Sequence, residues 1–305
     1  MRSPTLAVLL TSLTVAACVA TTTPAVDAAL GARLDARCDA LAGRVGLHVE
    51  HVATGSVHTR AADELFPAAS LVKVPILVAL YERIERGELD PHSELVFEAA
   101  RSRGGDDLLA SFADGARISL GKLIHLMVAF SDNSASLWCQ ELAGGGVAIN
   151  DWLERHGYEK TRVNARTPGR ESDYEAFGWG QTTPREMCRL LVEIRAGRCV
   201  SPRADEEMYR VLCRTYWDSE AVSALPPWVQ AATKQGAISR SRSEVVLVEA
   251  PSGPYVFCLV TDDQEDRSWG SDNAGFVLLR DVSQILWEHF GADGWSPAPG
   301  VEVWR

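Results

Sequence analysis

Strand-like alternation lies at the two ends of this chain, and helical periodicity fills its middle. Near the start, Val45-Gly-Leu-His-Val-Glu-His-Val alternates, and Ala53-Thr-Gly-Ser turns it into a second short strand. Alternation returns in Val229-Gln-Ala-Ala-Thr-Lys, Glu244–Glu249 and Tyr255–Thr261. Between them, apolar residues recur at three- to four-residue spacing in 70–87, 118–130, 184–195 and 205–215. Helices are also expected at 28–41 and 273–290. One sheet assembled from both chain ends, beside an all-helical lobe of about 66–215, satisfies this layout. The expected class is α+β, with a cleft at the seam of the two regions. At 305 residues and 46% hydrophobic content, the chain can bury one large core.

The leading segment points to export. Arg2 precedes an apolar stretch, Leu6 to Val15, too short to span a bilayer. Ala16-Ala17-Cys18 then reads as a lipoprotein cleavage site with Cys18 as the lipid-bearing residue. An ordinary secretory signal cut near the same alanines is the alternative. The expected division is a signal at 1–17, a Thr/Ala/Pro tether at 18–29, a catalytic domain at 30–293 and a tail at 294–305. Membrane attachment through Cys18 and a monomeric state are expected. A net charge of −11, with both signs mixed along the chain, disfavours nucleic acid as a partner.

Six further cysteines, Cys38, Cys139, Cys188, Cys199, Cys213 and Cys258, fit disulfides of an exported protein or buried thiols equally well. None has CxxC spacing, and of His48, Glu50 and His51 only the first two share a strand face. No metal site and no cofactor are expected. The nine tryptophans read as core and rim rather than a carbohydrate platform.

Chemistry concentrates in three fragments. Ser70-Leu-Val-Lys73 places a hydroxyl and an amine one helical turn apart. A serine hydroxyl needs a neighbouring base to act as a nucleophile at neutral pH, and Lys73 supplies one if burial beside Lys234 lowers its pKa. Ser131-Asp132-Asn133 follows the apolar helix at 118–130, where a loop can aim its hydroxyl. Lys234-Gln235-Gly236 ends a strand, its glycine letting a substrate lie against the backbone.

Together these fragments resemble the S-x-x-K, SDN and K-x-G set of the class A serine β-lactamases and related penicillin-binding proteins. The resemblance runs from about Leu30 to Gly291. It implies Ser70 as nucleophile, Lys73 as its base, and Ser131 as proton relay to the leaving nitrogen. Asn133 would hold the substrate amide and the Lys73 side chain, while Asp132 would brace its loop. Lys234 would attract a substrate carboxylate, and Ser70 and Ala237 would supply oxyanion N–H groups. Arg240 and Arg242 would add positive charge near that strand, or else form a solvated hairpin face. The substrate would be a small molecule, a β-lactam or an acyl-D-Ala-D-Ala peptide.

Two departures stand out. Gln235 occupies the position of a short hydroxyl residue and would crowd the carboxylate pocket. In a second loop, ungapped counting from Thr161-Arg162 to Thr182-Thr183-Pro184 puts Thr167 where the family carries its water-activating glutamate. Glu171 then stands at the family's asparagine. Either Glu171 has taken over as base, or release of the acyl group is slow and the chain acts as a peptidase, an esterase or a β-lactam-binding sensor; Glu171, between Arg170 and Asp173, would then be simply an exposed loop residue. The bracing aspartate of that loop is also missing, with Gly180 near its place, so packing of Tyr174, Phe177 and Trp179 is expected to hold it.

Overall fold

The computed structural model describes residues 26–291 and 294–296. The signal segment, Cys18 and most of the tether therefore lie outside the described residues. The N-terminal helix α1 (Ala28–Asp39) leads into β1 (Arg44–His51) and β2 (Ser56–Arg60). Three strands near the other end, β8 (Ala231–Ile238), β9 (Ser241–Val248) and β10 (Tyr255–Asp262), complete an antiparallel sheet ordered β2-β1-β10-β9-β8. The first and last strands of the sequence, β1 and β10, are thus neighbours, paired from Arg44↔Asp262 to His51↔Tyr255.

Alternation sorts the sheet's side chains into two cores. Val246, Val248, Tyr255, Phe257 and Leu259 face α1 and the terminal helix α9 (Ala274–Phe290). Val245, Leu247, Val256, Cys258 and Val260 face the helical lobe. Gly46 sits on that second face because a Cβ there would meet the Phe66 ring at 2.5 Å and Pro184 at 2.9 Å.

The lobe is built around α2 (Lys73–Glu85), which is buried on every side from Lys73 to Tyr81. Around it stand α3 (Leu120–Ala129), α4 (Asn133–Leu142), α5 (Gly145–Arg155), α7 (Pro184–Arg195) and α8 (Pro202–Leu212). Short pairings stitch the connections: β4 (Glu94–Val96) with β5 (Arg117–Ser119), and β3 (Phe66–Pro67) with β7 (Gly180–Thr182), which also pairs with β6 (Arg162–Val163). A short helix, α6 (Glu171–Phe177), lies in the loop between β6 and β7.

The structure adjusts some boundaries for physical reasons. The continuous helix expected from Ser70 opens instead as a 3₁₀ turn, Ala69–Val72, before α2. Pro75 has no N–H to give the Leu71 carbonyl, which is met instead by Lys73 N as the turn tightens. The helix expected at 205–215 begins at Pro202, with Ser201 Oγ accepting from Ala204 N as its cap. Helices α4 and α5 are not resolved by periodicity alone. The six described cysteines are free thiols, all buried except half-buried Cys213.

Candidate active site

The seam between lobe and sheet places the Ser70 segment directly against the edge strand. Ala68 N donates to Gly180 O at 2.8 Å, anchoring the 3₁₀ turn on β7. On its other side, a Cβ on Gly236 would stand 2.9 Å from Ser70 N and 3.1 Å from Ala69 Cβ. Only glycine lets β8 approach Ser70 this closely. Ala69 pays a conformational cost to present the serine, since its φ of 45° lies in the left-handed region.

Lys73 is fully buried, yet its amine does not turn to Ser70. It donates to Ser131 O, to Ser131 Oγ at 3.0 Å and to Asn133 Oδ1 at 3.0 Å. Among the described residues, Ser70 Oγ forms no hydrogen bond, so the i,i+3 contact foreseen from spacing gives way to the better acceptors of the 131–133 loop. Burial brings the Lys73 pKa down to about 7, partly opposed by the carboxylates of Asp107 and Asp132.

Two carboxylates hold that loop. Asp132 accepts from Ala135 N at 2.7 Å, capping α4, and from Leu109 N at 2.9 Å, which matches its bracing role. Asp107 accepts from Asn133 N (2.9 Å), Ser134 N (2.8 Å) and Ser134 Oγ (2.7 Å). Sequence reasoning missed Asp107, because the loop at 102–119 carries no periodicity to place it. The two braces keep Ser131 at φ 57°, a strained backbone that turns its carbonyl and hydroxyl together onto Lys73.

Ser131 Oγ also receives Lys234 Nζ at 3.1 Å. One hydroxyl thus bridges two buried amines. The Lys234 pKa lies well below that of an ordinary lysine, first through burial and then through the neighbouring Lys73 charge. The remaining Lys234 donors go to Gln235 O (2.9 Å) and Gln235 Oε1.

Arg240 and Arg242 do not join this cluster. Arg242 is buried, donating to the carbonyls of Ile238, Ser241 and Ser268 and lying between the rings of Trp269 and Phe276 at 4.4 and 4.7 Å. Its expected substrate-binding role meets no support in this geometry. Arg240 pairs with Asp263 at 2.7 Å and donates to Ala176 O.

The second loop differs from expectation as well. Thr167 is buried against α5, its Oγ1 donating to Ala165 O, and Gly146 is tolerated there only because it lacks a Cβ. Glu171 starts α6 with an exposed side chain that accepts from Gly169 N at 3.2 Å. Among the described residues, it makes no hydrogen bond to Ser70 or Lys73. Glu171 instead lines an open cleft of about 670 Å³ with Arg103, Leu137, Thr167, Arg170 and Trp179.

Aromatic packing holds that loop only in part: Tyr174 is exposed, whereas Trp179 packs against the lobe core with the Arg103 guanidinium 5.6 Å from its ring. Arg170 does the bracing, through Asn164 Oδ1 (2.7 Å), Gln181 Oε1 (2.9 Å) and Asp173 (3.1 Å). Trp179 contributes through its backbone carbonyl, which accepts from Asn164 N and Ala165 N.

Among the described residues, no group of three or more His, Cys, Asp or Glu side chains could hold a metal ion. His48 approaches Glu50 at 3.7 Å, while His51 stacks on Phe290.

The site thus sets a buried lysine one turn after a half-buried serine, with a second serine bridging to a second lysine, and over residues 29–290 the chain matches the model of the beta-lactamase enzyme family. The chain belongs to that family. Beta-lactamase AER-1 of Aeromonas hydrophila is 25% identical over 255 residues, covering 80% of this chain and 82% of that one. A beta-lactamase from Sphaerobacter thermophilus superposes with a TM-score of 0.77 at 23% identity, covering 87% and 98% of the two chains. A mutant of PBP-A, solved as an acyl-enzyme complex with penicillin-G, superposes with a TM-score of 0.75 at 24% identity, covering 86% and 96%. The α+β architecture of a sheet beside a helical lobe is therefore shared well beyond the range of close sequence identity.

Proposed function

We propose that this member of the beta-lactamase family is an exported serine hydrolase that opens β-lactam rings through an acyl-enzyme on Ser70. The observation that carries this reading is the Lys73 amine. It is buried one turn after Ser70, hydrogen-bonded to Ser131 and Asn133, and half neutral near pH 7. Ser70 Oγ attacks the lactam carbonyl and its proton passes to neutral Lys73. The N–H groups of Ser70 and Ala237 take the developing oxyanion, a contribution of several kcal/mol in such sites. Ser131 Oγ, lying between Lys73 and Lys234, relays the proton onto the ring nitrogen as the C–N bond breaks.

Export rests on the apolar leader, with lipid attachment through Cys18 and a monomeric state as part of the same proposal. Release of the acyl group is the weaker half of the cycle. Thr167 cannot act as a base near neutral pH, and Glu171 is exposed and bonded to Gly169 N. This favours a second reading in which the same acylation serves a slow-releasing penicillin-binding or sensing protein.

Intact-mass spectrometry of protein beginning at Cys18, mixed with a penicillin and followed over time, tests both. An adduct on Ser70 that decays with release of hydrolysed drug supports the hydrolase. An adduct that persists for hours supports the slow-releasing reading. The absence of any adduct would overturn the proposal.

A further inference from the structure

A lysine ammonium has three donors, and Lys234 has spent all three inside the protein: on Ser131 Oγ, on Gln235 O and on Gln235 Oε1. The amide oxygen of Gln235 therefore lies where an incoming carboxylate would have to lie to pair with Lys234. The two arginines that follow this strand do not replace the lost charge. Arg242 is consumed by three backbone carbonyls and Arg240 by Asp263. Across the ladder, the partner of Gln235 is Glu244, a buried carboxyl whose pKa burial raises to about 8. Next to Ser131 in the chain, Phe130 stacks on Tyr216, Tyr216 meets Trp217 edge-on, and all three are exposed.

We propose that Gln235 is a specificity-determining residue that closes the cationic subsite of Lys234. This side of the cleft then takes leaving groups that carry no carboxylate. The inference deepens the acyl-transfer reading above and rests on it for the orientation of the substrate. A neutral amide oxygen is a weaker partner for Lys234 than a carboxylate, so an acid must first displace Gln235 and gains little over its neutral counterpart. An uncharged ester or amide needs no such displacement.

The test separates binding from turnover. Benzylpenicillin and its methyl ester are titrated calorimetrically into the Ser70→Ala protein, which cannot be acylated, with Gln235 intact or replaced. With Gln235 intact, the two ligands are expected to bind within about threefold of each other. Gln235→Ala, which removes the plug, is expected to tighten the acid at least tenfold and leave the ester unchanged. Gln235→Glu, nearly isosteric and therefore safe for the strand, is expected to weaken the acid at least tenfold against the ester. The inference is overturned if the acid is already strongly preferred with Gln235 present. It is equally overturned if acid and ester shift together in both variants, or if neither ligand binds Gln235→Ala. Hydrolysis by the Ser70-intact protein is scored separately, so a failure of turnover cannot pass for a failure of the subsite.

Discussion

If Lys73 is the base, the rate of Ser70 acylation must follow the titration of one buried amine. With a pKa of about 7, half of the amine is neutral at pH 7, against roughly one part in three thousand for a lysine at 10.5. Asn133→Asp perturbs this directly, because Oδ1 of residue 133 lies 3.0 Å from Lys73 Nζ. A unit charge pair at that distance is worth about 5 kcal/mol at an effective dielectric of ~20. If half is lost to desolvation of the new carboxylate, the remainder raises the lysine pKa by ~2 units. The neutral fraction at pH 7 then falls ~50-fold.

The assay is the acylation rate by intact mass or stopped flow from pH 5 to 10, read as a midpoint rather than an amplitude. The midpoint is expected near 7 in the native chain and near 9 in Asn133→Asp. A midpoint that stays near 7 in the variant would refute Lys73 as the titrating base, whatever the loss in rate. Stability supplies an independent check. The folded pKa lies below the unfolded one, so the unfolded chain binds more protons between pH 7 and 10.5. Native stability relative to Lys73→Met should therefore rise with pH across that window, by up to ~1.4 kcal/mol per unit.

Three further outcomes follow from the geometry. Gly236→Ala would press its methyl to 2.7 Å from Ser243 Oγ and 2.9 Å from Ser70 N, so a loss of about 1–3 kcal/mol in urea unfolding and a large drop in acylation are expected. Unaltered stability would mean the strand yields freely. Asp107→Ala removes three hydrogen bonds to Asn133 and Ser134; about 2–4 kcal/mol of stability should go, together with acylation, and retention of both would show the brace to be idle. Glu171→Gln is expected to change deacylation less than about twofold, given an exposed carboxylate bonded to Gly169 N. A hundredfold slower release would instead restore Glu171 as the base.

Residue order along the chain determined a great deal by itself. Alternation and helical spacing depend only on which side chains need burial, so the sheet from both termini, the helical lobe and the seam between them were legible. Ser70, Lys73, Ser131 and Lys234 could be singled out through the resemblance of their motifs to the class A β-lactamases, and the fold brings the last three into one hydrogen-bonded cluster. Asp132 as a brace was legible too, since an aspartate ahead of a helix caps it locally.

What each polar group pairs with was decided only by the tertiary structure. Lys73 turns to Ser131 and Asn133 rather than Ser70 because the loop at 131–133, held by Asp107 and Asp132, presents stronger acceptors inside a buried space. Arg242 lies on the strand beside the site, yet its guanidinium is taken up by the Ile238 and Ser241 carbonyls of its own hairpin and by the chain-distant Ser268 carbonyl. Glu171 counts to the family's asparagine position, four residues after Thr167, and in the folded chain its carboxylate is exposed at the start of α6. Hydrogen bonds to chain-distant partners have no period and no local signature. Burial, which makes them strong and shifts the lysine pKa values, exists only once the two lobes close on one another.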